Sequence, residues 1–139
     1  MARIKLAVYL GEEEHKLGPG KVRLLEAIEE IGSISAAARS MGMAYRHAWE
    51  LVDDLNRCFT TPIVAVSIGG REGGGAKLTP WGRELIERFH SMEKAARRAI
   101  GRDLDSILDS VAPRTAPPRS LGVTTSRKGA KAEGRRRRT

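Results

Sequence analysis

The spacing of hydrophobic residues changes several times along the chain, and each change predicts an element. From Arg3 to Leu10, Ile4, Leu6, Val8 and Leu10 alternate with Arg3, Lys5, Ala7 and Tyr9, the period of a half-buried strand. Gly11 and Glu12-Glu13-Glu14 end it in a solvated turn, and Leu17-Gly18-Pro19-Gly20 reads as loop. The period then becomes helical. Leu24, Leu25, Ile28 and Ile31 share one face of a helix from about Lys21 to Ile31, with Glu26, Glu29 and Glu30 toward water and Gly32 just past its end. A short alanine-rich helix follows, with Ser35 as its expected N-cap. Gly42 stands where it stops, and the next helix runs from about Ala44 to Arg57 with Ala48, Val52 and Leu55 inward.

Beyond Phe59 the pattern turns to strands. Ile63 to Ile68 is rich in β-branched residues, and Ala76-Lys77-Leu78 is a short return strand. Between them Gly69 to Gly75 holds five glycines in seven residues, too much backbone freedom for regular structure. A β-hairpin with a flexible tip is expected, with the strand at Arg3–Leu10 as a candidate third partner. Thr79-Pro80 then starts a helix sharply, Thr as N-cap and Pro in the first turn. Its apolar positions are Leu85, Phe89, Met92, Ala96, Ile100, Leu104, Ile107 and Val111. That stripe is longer than a small domain needs for its own core, and a dimer seam is its expected use. The competing reading is a long helix lying across its own domain. Gly101 is the weak point of the helix.

A short small-residue helix, a glycine turn and a second helix describe a helix-turn-helix, and a glycine-tipped hairpin behind them supplies a wing. The predicted fold is mainly α with a small β-hairpin wing: a winged helix-turn-helix followed by a long dimerisation helix. Residues 1–79 would form the DNA-binding domain, 80–111 the long helix and 112–139 a disordered basic tail. In such a fold the second helix of the pair enters the major groove and its first residues meet base edges. Here those residues are Tyr45, Arg46 and His47. Arg46 can grip guanine O6 and N7 or a phosphate, and Tyr45 can bond a phosphate or pack against a thymine methyl. Trp49, one turn on, is expected in the core or over the preceding helix. The bland alternative is an αα-hairpin that binds nothing.

Charge qualifies this picture. The chain carries a formal net charge of +8, but nine basic residues and one acid lie from Ala112 onward. Residues 1–111 therefore hold sixteen of each sign and are neutral. DNA binding by the folded part must come from local clustering. The basic tail, with Arg135 to Arg138, is either a non-specific nucleic-acid contact or a solvated segment.

Several chemistries are excluded. One cysteine, Cys58, allows no internal disulfide and no metal site by itself, and His47 has no ligand-type neighbour at metal spacing. His15 and His90 have no recognisable context. Gly70 to Gly75 has the internal spacing of a phosphate-binding loop, but Ala76 stands where lysine is required and no helix follows directly. No catalytic constellation stands out, so the chain is not expected to be an enzyme, nor to hold a metal or cofactor. With no signal-peptide pattern and no apolar run of membrane length, a cytoplasmic protein with no membrane partner is expected.

Four stretches carry a family resemblance: Leu17-Gly18-Pro19-Gly20, Gly32 to Ala38, Gly42 to Trp49 and Gly69 to Thr79. Together they resemble the N-terminal DNA-binding domain of ModE-type molybdate-responsive regulators, over about residues 2 to 100. The wing pattern Gly-Gly-x-x-Gly-Gly-Gly-Ala-x-Leu-Thr is the more specific part, since LysR-type regulators share the helix-turn-helix. The resemblance implies a winged-helix homodimer on double-stranded DNA, reading it with the helix that starts at Ala44 and with the wing. The expected DNA contacts are Ser33, Ser35, Ala44, Tyr45, Arg46, His47, Arg71, Lys77 and Thr79. The expected dimer contacts are Leu85, Phe89, Met92, Ala96, Ile100 and Leu104. Two departures stand out. Ala44 replaces the family's usual serine, and a basic tail stands where full-length members carry molybdate-binding domains. The expected function is thus a sequence-specific regulator without direct molybdate binding. The alternative is an interaction module that partners a separately encoded sensor, with DNA binding incidental.

Overall fold

The computed structural model describes residues 3–67 and 75–113. In chain order the elements are β1 (Val8–Leu10), β2 (His15–Leu17), α1 (Pro19–Ile31), α2 (Ile34–Ser40), α3 (Tyr45–Cys58), β3 (Val64–Ser67), β4 (Gly75–Leu78) and α4 (Pro80–Leu108). The chain is mainly helical, with two small antiparallel hairpins and one long last helix.

The first strand is shorter than its alternating pattern predicts and takes a different partner. Only Val8 to Leu10 form a ladder, and they pair with His15–Leu17 rather than with the second hairpin. His15 and Lys16, for which no element is expected, and Leu17, read as loop, supply that partner across a turn in which Gly11 and Glu14 adopt positive φ. His15 fastens this hairpin to α3, its Nδ1 lying 2.8 Å from an Asp54 carboxylate oxygen. Lys21 of α1 reaches the other oxygen of the same carboxylate at 3.3 Å.

Helix α1 starts two residues earlier than expected, with Pro19 in its first turn, and ends where Gly32 turns left-handed at φ 89°. Leu24, Leu25 and Ile28 are fully buried, but Ile31 is 43% exposed and is not part of the core. Helix α2 is capped by Ser33, not Ser35. The Ser33 hydroxyl accepts from the Ala36 N–H at 3.1 Å, and Ser35 sits inside the helix. Ala37 and Ala38 of α2 and Ala48 of α3 are all buried. Their small side chains let the two helices approach closely, and Gly42 at φ 65° makes the turn between them.

The second hairpin pairs Val64 with Leu78 through Ser67 with Gly75. It is tied to the helices on both strands. On β3 the Asn56 side chain of α3 accepts from the amides of Ile63 (2.7 Å) and Val64 (3.1 Å) and donates to the Val64 carbonyl. On β4 the Ala76 N–H donates to the Gly32 carbonyl at 2.9 Å. Glu29, expected to face water, accepts from the Leu78 N–H at 2.9 Å and pairs with Arg83 at 2.7 Å. Arg83, then the Leu78 amide, hold its carboxyl below the usual range.

Helix α4 is continuous through Gly101. Leu85, Ile86 and Phe89 close the core against α1 and β4. His90 adds a polar tie, Nε2 to Glu26 of α1 at 2.8 Å and Nδ1 to Glu93 at 3.0 Å. From Met92 onward the apolar positions leave the core. Met92 and Ile100 are about two-fifths exposed, while Ile107 and Val111 exceed three-fifths. Among the described residues no helix is long and apolar enough to cross a membrane.

Candidate functional site

Helix α3 divides cleanly into two faces. Ala48, Val52 and Leu55 are buried along one side, which fixes the rotation of the helix. Its leading turn is thereby left outside: Tyr45 is 52% exposed and the Arg46 side chain 90%. Among the described residues Arg46 has one ion-pair contact, a long one of 3.7 Å to Glu50 one turn away, and its side chain stands out into solvent. His47 is exposed beside it. Ala44 occupies the N-cap position and offers no side-chain acceptor, so the first amides of α3 carry no side-chain cap. Trp49 is half-buried at the edge of the core and meets Tyr45 edge to face.

A groove of about 490 Å³ opens between this turn and the start of α1. Its walls include His47, Lys16, Lys21 and Arg23, with the Gly18-Pro19-Gly20 backbone at one end and no carboxylate in the lining. Gly18 offers no side-chain cap to α1 either. The opposite groove, between α1 and α4, is lined by Glu26, Glu29, Glu30 and Glu87, with Arg83 as its one basic residue. One groove is thus lined by basic side chains and the other mainly by acidic ones, a local clustering of charge within a folded part of zero net charge. Lys16 and Arg23 were not singled out from the sequence. Lys16 lies between the predicted turn and loop and Arg23 in the first turn of the predicted helix, and only the fold brings both beside His47.

The other expected contacts divide. Ser33 and Ser35 lie together at the start of α2, their hydroxyls 3.2 Å apart, and the Ser33 oxygen already caps the helix. Lys77 is exposed on β4 between buried Ala76 and Leu78, and so points away from the core. Thr79 is committed to structure: its hydroxyl donates to the Pro62 carbonyl at 2.7 Å and accepts from the Gly82 N–H at 3.0 Å. That leaves it no proton for DNA. Arg71 and the wing tip lie outside the described residues, as does nearly all of the basic tail. Of the expected dimer contacts, Leu85 and Phe89 are buried in the chain's own core. Met92, Ala96, Ile100 and Leu104 lie beyond it.

No family model matches the chain. Curated relatives do. It is 43% identical over 86 residues to the molybdenum-pterin-binding protein MopA of Rhodobacter capsulatus, covering 62% of this chain and 32% of that one. It is 36% identical over 102 residues to the molybdenum transport protein ModE of Azotobacter vinelandii, covering 73% and 37%. It is 33% identical over 82 residues to the DNA-binding transcriptional dual regulator ModE of Escherichia coli, covering 59% and 31%. The chain spans about a third of the length of the curated relatives it matches. Over that third, it is a homologue of the ModE transcriptional regulators and the Mop molybdenum-pterin-binding proteins.

Proposed function

We propose that the chain is a sequence-specific DNA-binding transcriptional regulator of the ModE type, acting as a homodimer. In this reading α2 and α3 form a helix-turn-helix and the β3–β4 hairpin its wing. The observation that carries the reading is the leading turn of α3. A helix anchored by three buried residues holds Tyr45, Arg46 and His47 outside the core, with no strong partner for Arg46 among the described residues. Uncapped first-turn amides suit a phosphate oxygen, and the groove lined by Lys16, Arg23 and His47 extends positive charge along a duplex. Arg46 then reads a guanine edge while Ser33, Ser35, Lys77 and the neighbouring amides set register on the backbone. The E. coli relative, named as a DNA-binding dual regulator, supports the same reading.

Binding-site selection from random duplexes tests it, and the expected product is a half-site repeated at about one helical turn. Arg46→Ala should lower affinity for that site by about 1–3 kcal/mol and relax the base preference at one position. Equal losses on selected and random DNA in a gel-shift titration would refute base reading by Arg46.

A further inference from the structure

A tyrosine hydroxyl can both donate and accept a hydrogen bond, whereas the indole N–H of tryptophan can only donate. Trp49 follows Tyr45 by one helical turn, and helical side chains lean back over the preceding turn. The two rings accordingly meet edge to face, centroids 6.3 Å apart and planes at 83°. Trp49 Nε1–H donates to the Tyr45 hydroxyl. The direction of that bond is dictated by the indole. Tyr45 must accept, so its own proton is left over and points away from Trp49. The indole body packs at the edge of the core, which fixes the pair, while Tyr45 stays half exposed.

We infer that Trp49 is a positioning residue that turns the Tyr45 proton outward, favouring a hydrogen-bond acceptor on duplex DNA. Acceptors of that kind are purine N7, the carbonyl oxygens of guanine and thymine, and phosphate oxygens. The amino groups of adenine and cytosine are donors and offer the outward Tyr45 proton no acceptor. The inference rests on the proposed DNA-binding role of α3. It differs from a packing role for Trp49 because it depends on one N–H rather than on the volume of the ring.

The test uses the full chain and the duplex enriched from random sequence. Trp49 is replaced by 3-benzothienylalanine, which keeps the bicyclic shape but has sulfur where the N–H was. Tyr45→Phe removes the hydroxyl, and the doubly changed chain closes the cycle. Each single change should weaken binding about two- to tenfold, the range of one net hydrogen bond. The double change should be no weaker than Tyr45→Phe alone, with the melting midpoint of the benzothienyl protein unmoved. Duplexes carrying 7-deazapurine or methylphosphonate at single positions then locate the acceptor. The position whose substitution abolishes the Tyr45→Phe effect names a base or a phosphate. Additive losses, or unchanged binding by either single variant, overturn the inference and leave the DNA-binding reading standing. A chain that enriches no duplex overturns both.

Discussion

Two residues, Gly82 and Asn56, decide through their internal contacts where the second hairpin sits. Gly82, two residues into α4, lies against the backbone of Ile63. A methyl group added there would stand 2.3 Å from the Ile63 carbonyl oxygen, inside any tolerable contact. The obstruction is backbone, not a movable side chain, so Gly82→Ala must push α4 away from β3. The expected cost is about 1–3 kcal/mol, seen as a lower melting midpoint in calorimetry. Asn56 acts from the other side by satisfying the amides of Ile63 and Val64, both buried. Asn56→Ala leaves two buried donors without partners, at about 1–3 kcal/mol each. A denaturant titration of the variant gives the number, and a midpoint within error of the parent would refute the clamp.

Neither residue was legible in the sequence, for a physical reason. Asn56 in a helix reads as a solvated position, because its partners come from a strand whose placement depends on the fold it helps to make. Glu29 was legible in part. It is exposed, as its periodicity predicts, but only the approach of β4 and α4 makes its carboxylate a junction for Leu78 and Arg83. Where the signal is local, the elements were readable: the buried stripe of α3, the turn at Gly42, the Thr79-Pro80 helix start and the hairpin all appear within a few residues of expectation. Where two polar residues competed for one cap, Ser33 won over Ser35, since Ile34 has to enter the helix to reach the core. In the candidate site, Tyr45, Arg46 and His47 were legible from helical spacing. The basic groove was not, because its walls come from three separate segments.

At the scale of an element, α4 is tied to α1 by an imidazole shared between two carboxylates, Glu26 across on α1 and Glu93 one turn along α4 itself. Carboxylates only accept, so both nitrogens of His90 must donate, and the ring is favoured as the cation. Glu26 first, then Glu93, raise the His90 value above its usual range. The sign follows directly. A folded-state value above the unfolded one stabilises fully below about pH 6.5, and that contribution disappears as pH rises through the folded value. Replacing His90 by Gln should therefore lower the melting midpoint most at about pH 6. The difference from the parent chain should shrink steadily at higher pH. A difference that grows with pH would mean the imidazole is held neutral.

At the scale of the whole molecule, α4 performs two tasks along its length. Its first third, through Phe89, belongs to the core. The remainder offers Met92, Ile100 and Ile107 at helical spacing with no covering element among the described residues. Separate apolar residues on a surface are ordinary, but a stripe repeated over about four turns of one helix is the pattern of a seam between two helices. In the proposed homodimer a second copy would cover this stripe, since a self-complementary stripe can close as a twofold dimer without any other partner. Placing charge within the stripe, as in Ile100→Glu with Ile107→Glu, should shift the chain toward monomer in sedimentation equilibrium. The hairpins and core lie outside the altered stretch, so the circular dichroism spectrum should keep its helical content. The consequence for DNA then separates self-association from a merely exposed helix. If two copies grip two half-sites, the doubly substituted chain loses affinity for the repeated site and retains its affinity for one isolated half-site. Equal affinity of parent and variant for the repeated site would show that α4 does not couple the two readers.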